Sequence, residues 1–480
     1  MPRHDKVDNG DLREICSRVL NLIKPCEDER IRTLNFVKEV VEKLNAELRR
    51  AGIEAEAKVQ GSIAKDTWLA GEKDIDIFIM LPKTYTRDDL WRLLEAAKKI
   101  IGEDYIEAYA EHPYIEARIG EYTIDFVPCF KIDKASEVIS SVDRTPLHTK
   151  YVKEKLNDKI KDEVRLLKRF MKGIGTYGAE IKIGGFSGYL CEILTIHYGS
   201  FIKVLRAASR WRRRELIDPE GYYRGRRHKA MKIFDGDPLI VVDPVDERRN
   251  VASAVREDRL GEFIAAARLF LKEPSIRFFY PAEIKTPKPE EINKLMRERG
   301  SSIIILKFRA AKTVPDILWG QLYKSKRAIR NLIEQHNFKV IRDAAWSDEG
   351  ETAILIYELE SEKLPPIKRH LGPPIEKYED CERFLKKYLN SDETISGPRI
   401  EDGRWVVEVR RRFQNARTLL RDRLRGGGRD LGVASLIAKS ISEGLEILTD
   451  EEIINLYKSN RIFAEFFTEF LIGKPRWLIK

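Results

Sequence analysis

The sequence predicts an α+β chain of several domains, and three observations carry that prediction. Its 480 residues are too many for one ordinary core, so about two to four domains are expected. Apolar runs with helical spacing alternate along the chain with short strand-like runs. One of those strand-like runs, Asp74-Ile75-Asp76-Ile77-Phe78-Ile79, carries aspartates on alternate residues.

Residues 10–25 read as an amphipathic helix with Leu12, Ile15, Val19, Leu22 and Ile23 on one face, stopped by Pro25. A longer helix follows over about 28–51. Ile31, Leu34, Val37, Val41, Leu44 and Leu48 recur in it at three or four, and Gly52 is its stop. Ile53, Ala55, Ala57 and Val59 alternate with charged residues, which predicts a strand running into a Gly61-Ser62 turn. After the Asp74–Ile79 strand come a helix over 87–101 and two strands, 109–118 and 121–127, joined near Gly120. Helices are expected over 161–172 and 188–208, and a buried-type strand over Pro238–Val242 that ends at Asp243-Pro244. Residues 302–360 read as strand, helix, strand, strand, and the prolines at 365–366 and 373–374 mark a boundary. Trp405–Arg410 alternates as a strand after an Asp402-Gly403 turn. Arg410–Arg429 then holds eight arginines and three consecutive glycines. It reads as a disordered surface loop or as an RNA-phosphate contact. Residues 450–472 are helical.

In an extended chain, side chains at i and i+2 share a face. Asp74 and Asp76 therefore lie side by side, with Ile75, Ile77 and Ile79 toward the core. A third aspartate, Asp125, interrupts the strand-like run Tyr122–Pro128. Alone, Asp-x-Asp would suit a solvated strand face. Together with Asp125 and the upstream Gly61-Ser62 it points to a cation site, because neighbouring carboxylates repel unless a cation lies between them. Three such groups can hold two Mg²⁺ ions roughly 3.5–4 Å apart for in-line phosphoryl chemistry. A glycine lets backbone amides approach a phosphate, and a serine hydroxyl can donate to it.

Lys and Arg outnumber Asp and Glu by 88 to 78, a net charge of +10 that suits a polyanionic partner. Lys203–Lys232 concentrates part of that charge, and its residues Arg212, Arg213, Arg224 and Arg226, with Arg411 and Arg412 further on, are candidate RNA contacts. The five cysteines form no Cys-x-x-Cys and no disulfide framework, which fits a reducing cytoplasm. No signal core and no apolar run long enough for a membrane span are present, so no membrane partner is expected.

Gly-Ser, a short spacer, Asp-x-Asp and a later lone aspartate resemble the nucleotidyltransferase superfamily related to DNA polymerase β. Longer strings are similar to the archaeal (class I) CCA-adding enzymes, which are tRNA nucleotidyltransferases. They include Gly61-Ser62-Ile63-Ala64-Lys65-Asp66-Thr67-Trp68-Leu69, Ala110-Glu111-His112-Pro113-Tyr114, Asp143-Arg144-Thr145-Pro146 and Arg165-Leu166-Leu167-Lys168. Tyr177-Gly178-Ala179-Glu180, Gly185-Phe186-Ser187-Gly188-Tyr189-Leu190-Cys191-Glu192 and Val242-Asp243-Pro244-Val245-Asp246 belong with them. The similarity is dense from about 55 to 255 and thinner beyond. Lys65 stands where the family often has arginine, which keeps the charge and loses the planar fork.

The resemblance implies a polymerase β-like catalytic head (1–149), a helical neck (150–270), an α/β body (271–301 and 375–480) and a tail (302–374). It implies template-independent addition of the 3′-terminal CCA of tRNA from CTP and ATP, with Mg²⁺ as cofactor. Asp74, Asp76 and Asp125 would hold the metals. Ser62, Lys65, His148, Lys168 and Tyr177 would contact the nucleotide, Arg249 would read the base, and His112 would be secondary. The tRNA acceptor stem and TΨC arm would be the macromolecular partner, and a homodimer is among the assemblies left open. Read without the family, His148 is a structural histidine and Arg249 a salt bridge to Asp246 or Glu247. A poly(A) or terminal uridylyl polymerase, an inactive RNA-binding module and an antibiotic adenylyltransferase are the competing identities. Similarity outside the head, retention of all three aspartates, and the length with its basic segments weigh against them in turn.

Overall fold

The computed structural model describes residues 9–109 and 113–479; His112 lies outside the described residues. The chain divides into two units, Met1–Glu283 with Pro475–Lys480, and Ile284–Lys474.

The first unit opens with α1 (Asn9–Ile23), which ends just before Pro25, and α2 (Glu27–Arg50). Acidic residues in the first turn of α2 and Arg49 and Arg50 in the last complement its dipole. The apolar faces differ in part from expectation. Leu22, Ile31 and Leu34 are exposed, and α2 buries Thr33, Val37, Val40, Leu44 and Leu48 instead. The helix surface that meets the sheet is rotated from the one drawn through Ile31 and Leu34.

Gly52, with φ +65°, ends α2, and the chain enters β1 (Glu56–Val59). The expected Gly-Ser turn is a short helix, α3 (Gly61–Lys65), closed by Asp66 in the left-handed region. Then follow β2 (Asp74–Leu81), α4 (Leu90–Ile101), β3 (Tyr105–Tyr109), β4 (Pro113–Ile119) and β5 (Tyr122–Phe130). The sheet order is β1-β2-β5-β4-β3, with β2 and β5 parallel and every other pair antiparallel. One face packs Ile75, Ile77, Ile79, Ile115, Ile124 and Phe126 with side chains of α2 and α4. The other face carries the aspartates and, further along the same strands, a smaller cluster of Phe78, Met80 and Cys129.

Helices dominate the rest of this unit: α5 (Thr145–Lys155), α6 (Asp158–Gly173), α7 (Gly188–Tyr198), α8 (Phe201–Ala208), α9 (Arg227–Ile233) and α10 (Glu257–Lys272). The single helix expected over 188–208 is broken at Gly199, whose φ of +82° suits a C-cap, and Ser200 caps α8. A small sheet joins β6 (Glu215–Ile217), β7 (Leu239–Asp243) and β8 (Asp246–Asn250). The core is rich in phenylalanine: Phe170 packs edge-on to Phe201, Phe263, Phe270 and Phe279, and Trp477 closes it against Phe278.

The second unit contains α11 (Pro289–Glu298), β9 (Ser302–Arg309), α12 (Pro315–Gln335), β10 (Val340–Ser347) and β11 (Thr352–Leu359). Next come β12 (Ile367–Pro374), α13 (Tyr378–Tyr388), β13 (Thr394–Glu401) and β14 (Arg404–Arg410). The last elements are α14 (Ala416–Leu424), α15 (Ser435–Glu443), β15 (Leu445–Leu448), α16 (Asp450–Ser459) and α17 (Arg461–Ile472).

Two expectations are corrected here. Residues 302–374 do not form one module. β15 pairs with β9 in the sheet β10-β11-β9-β15, so 302–359 shares a sheet and a core with the C-terminal helices. β12, β14 and β13 form a separate sheet, with Phe384 and Tyr388 of α13 packed against Val407 and Val409. Nor is Arg410–Arg429 a disordered loop. Leu419, Leu420 and Leu424 of α14 are fully buried, and Gly427 approaches Ala438 so closely that a Cβ would stand 2.2 Å from its carbonyl oxygen.

Candidate active site

β2 runs parallel to β5 in the register that sets Asp76 beside Asp125. β4 sets Glu116 on the other side of Asp125. Three carboxylates thus stand in a row across three strands, an arrangement that repels itself. Burial, followed by the charges of Asp76, Glu116 and Asp74, pushes the Asp125 carboxyl up to about 7. Burial also raises Asp76, with Asp74 adding to it and Lys65 opposing. Asp125 Oδ1 is buried without a hydrogen-bond partner. A set of carboxylate oxygens with one left unsatisfied fits a hard divalent cation. Among the described residues no three His, Cys, Asp or Glu side chains converge into a closed cage. Mutual repulsion holds the carboxylates apart, and a cation bound here would take further ligands from substrate.

Gly61 is what lets α3 close on this row. Its φ is +65°, and a Cβ there would stand 1.8 Å from Asp76 Oδ2. Beside it opens a cavity of about 370 Å³ lined by Ser62, Lys65, Asp74 and Asp76 together with His148, Lys168, Tyr177 and Glu192. Five nucleotide-contact candidates, far apart in sequence, therefore meet two of the metal candidates around one space. Asp125 adjoins it through Asp76 without lining it.

Two buried acids organise the polar side chains here. Glu192, on α7, is fully buried. Its Oε2 accepts from Lys65 Nζ at 2.5 Å and its Oε1 from Thr67 Oγ1 at 2.6 Å, and Lys168 Nζ stands 3.6 Å from Oε1. Burial alone would raise the Glu192 carboxyl; the Lys65 and Lys168 ammonium groups hold it below its ordinary value. Burial lowers Lys168, against the pull of Glu192. Asp243, at the end of β7, is also fully buried. It accepts from His148 Nε2 at 2.9 Å, Arg249 Nη1 at 2.8 Å and Tyr189 Oη at 3.0 Å. Burial lowers His148, against the pull of the Asp243 carboxylate beside its Nε2.

Arg249 is thus an ion-pair partner of Asp243, not of Asp246 or Glu247. Asp246 pairs with Arg144 at 2.9 Å. Sequence reasoning assigned no role to Glu192, Asp243 or Glu116. A signal existed for the first two: Glu192 is the one acid in the apolar helix Gly188–Tyr198, and Asp243 closes the run Leu-Ile-Val-Val.

The RNA candidates are scattered. Arg212, Arg213, Arg224 and Arg226 are exposed; Arg213 reaches Glu257 at 3.2 Å and Arg226 donates to the Tyr222 carbonyl at 2.7 Å. Arg411 is half-buried and donates to Asn337 Oδ1 at 3.0 Å, while Arg412 lies over the Phe413 ring. The basic face of this segment is instead on α14. Arg417, Arg421 and Arg425 recur every four residues and line an open cavity of about 430 Å³. Of these, Arg417 donates to both oxygens of Glu452 at 2.9 Å.

Comparison with known proteins matches three segments of the chain. Residues 39–148 match the nucleotidyltransferase domain, 162–280 the tRNA nucleotidyltransferase second domain, and 299–450 the CCA-adding enzyme C-terminal domain. A CCA-adding enzyme of Methanothermobacter thermautotrophicus is 39% identical, over 95% of this chain and 97% of its own. One from Methanosarcina barkeri is 38% identical over 93% and 96%, and one from Pyrobaculum islandicum 41% over 87% and 94%. Among solved structures, a cytoplasmic RNA terminal U-transferase aligns with 57% of this chain and 100% of its own at TM-score 0.44 and 17% identity.

Proposed function

We propose a division of labour within this chain, which belongs to the family of CCA-adding enzymes. The reaction is template-independent addition of the 3′-terminal CCA of tRNA from CTP and ATP, with release of pyrophosphate. Asp74, Asp76 and Asp125 would hold Mg²⁺, and a divalent cation there would supply positive charge for the transferring phosphoryl group and the RNA 3′-hydroxyl. Ser62 donates its hydroxyl to the triphosphate, and Lys65 and Lys168 supply positive charge to it. Tyr177 and His148 border the sugar and phosphates. Arg249, half-exposed and braced by Asp243, offers its remaining donors to the base. No covalent nucleophile is required; positioning and charge neutralisation supply the rate.

The observation that carries this reading is the single cavity that brings Asp74 and Asp76 together with Ser62, Lys65, Lys168 and Tyr177. Arg212, Arg213, Arg224 and Arg226, with Arg411 and Arg412, contribute RNA-backbone contacts. The described cysteines are all free, and among the described residues no helix is long and apolar enough to cross a membrane; with tRNA as substrate, we place the reaction in the cytoplasm.

The test is incubation with tRNA lacking its 3′ end, Mg²⁺ and each labelled triphosphate in turn. CTP and then ATP should be incorporated and UTP and GTP rejected, and chelation should abolish the reaction. Open-ended addition of one nucleotide, or incorporation that survives chelation, would overturn the assignment.

A further inference from the structure

Glu192 brings together side chains from three parts of the first unit. Lys65 belongs to α3, Thr67 to the turn after it, and Lys168 to α6. Both lysines are withdrawn from water, with 7% and 2% of their surface exposed. Lys168 Nζ donates to the Thr67 carbonyl and to Thr67 Oγ1, each at 3.1 Å, while the Thr67 hydroxyl passes its own proton toward Glu192. The network is closed, and every polar atom named in it has a partner.

Two buried ammonium groups so close together repel, and each has lost hydration. One carboxylate, 2.5 Å from Lys65 Nζ and 3.6 Å from Lys168 Nζ, offsets that repulsion. Two lysines thus share one carboxylate at the wall of the cavity that also holds Ser62 and Asp76. A well-packed apolar group of the same size would serve stability as well as a buried ion pair does. What the carboxylate adds is a fixed geometry for two cations.

We propose that Glu192 is a positioning residue for nucleotide binding: its carboxylate fixes the Lys65 and Lys168 ammonium groups so that they meet the phosphates of the incoming nucleoside triphosphate. This rests on reading those two lysines as triphosphate contacts. Glu192 touches neither substrate nor metal, and its effect passes through the lysines.

The experiment uses the full-length protein with Mg²⁺ and tRNA lacking CCA. Glu192→Gln preserves shape and removes charge. KM for both CTP and ATP should rise about tenfold or more, because the lysines lose the partner that orders them, while tRNA affinity stays within about twofold. Inhibition by inorganic tripolyphosphate, which has no base or sugar, should weaken by the same factor. Lys65→Gln and Lys168→Gln should each raise KM. Adding Glu192→Gln to Lys65→Gln should cost much less than the product of the two single effects, as expected for residues acting as a unit.

If neither lysine variant changes KM, the triphosphate reading of the lysines fails and this inference falls with it. If the lysine variants raise KM and Glu192→Gln does not, the inference alone is overturned. It is also overturned if Glu192→Gln weakens CTP but not tripolyphosphate, or weakens tRNA binding equally. Should Glu192→Gln fail to fold, Glu192→Asp takes its place. That variant keeps the charge but is too short to span both Lys65 and Thr67, so KM should again rise, and an unchanged KM counts against the proposal.

Discussion

Replacing Gly61 by alanine separates backbone strain from damage to the carboxylate row. The added Cβ would stand 1.8 Å from Asp76 Oδ2 and 2.7 Å from its Cγ. Ordinary carbon–oxygen contact needs more than about 3.2 Å, so Asp76 must retreat by roughly 1.5 Å or α3 must shift away. A misplacement of about 1 Å costs on the order of 10²-fold in rate, or about 2.7 kcal/mol of transition-state stabilisation. Gly52 supplies the control. Its φ is also +65°, yet a Cβ there meets nothing within 4 Å. Gly52→Ala should therefore lose about 1–2 kcal/mol of stability for the left-handed backbone and nothing in turnover. Gly61→Ala should lose that stability and also about 10²-fold or more in kcat. Urea melts report the first quantity, and labelled CTP incorporation at saturating Mg²⁺ reports the second. Equal turnover by the two variants would refute the claim that α3 is seated against the Asp76 carboxylate.

The remaining predictions concern charge. Asp76→Asn and Asp125→Asn should each lower incorporation by several orders of magnitude, because neither amide can neutralise a metal. Asp125→Asn should leave the metal-free protein no less stable at pH 8, where the carboxylate whose pKa is raised to about 7 is ionised beside Asp76 and Glu116; its sign follows from the folded state favouring the neutral form, and thermal melts in chelator check it. Arg249→Ala should reduce the ratio of kcat/KM for CTP over UTP by on the order of 1–3 kcal/mol while sparing tRNA affinity, and an unchanged ratio with weakened tRNA binding would reassign it to the RNA backbone. Arg421→Glu with Arg425→Glu, on the face of α14 that lines an open cavity, should flatten the salt dependence of tRNA binding by roughly one unit of slope for each phosphate the protein no longer neutralises; a parallel slope would remove α14 from the RNA-binding surface.

The amino-acid sequence by itself determined the periodic elements and the chemistry they bear. Alternation of period two was enough to place Asp74 and Asp76 on one face of β2 and the isoleucines on the other, and the strand around Asp125 could be read the same way. What it could not show was where distant strands and helices come to rest. The parallel pairing of β2 with β5 aligns Asp76 with Asp125, and only the β4–β5 register reveals Glu116 as a third carboxylate in the row. Lys65 read as a cation free for a phosphate, but its counter-ion Glu192 arrives on α7 from 127 residues away. Arg249 looked local, yet its partner Asp243 is reached only because β8 turns back on β7. Residues 302–374 looked self-contained until β15 paired with β9, binding Glu446 to Lys307 across 139 residues. Periodicity is written in neighbouring residues and survives without the fold. Burial, charge pairing and sheet register depend on segments meeting in space, so buried counter-ions, the bounds of the second unit's sheets, and which arginines face open solvent were decided by tertiary structure alone.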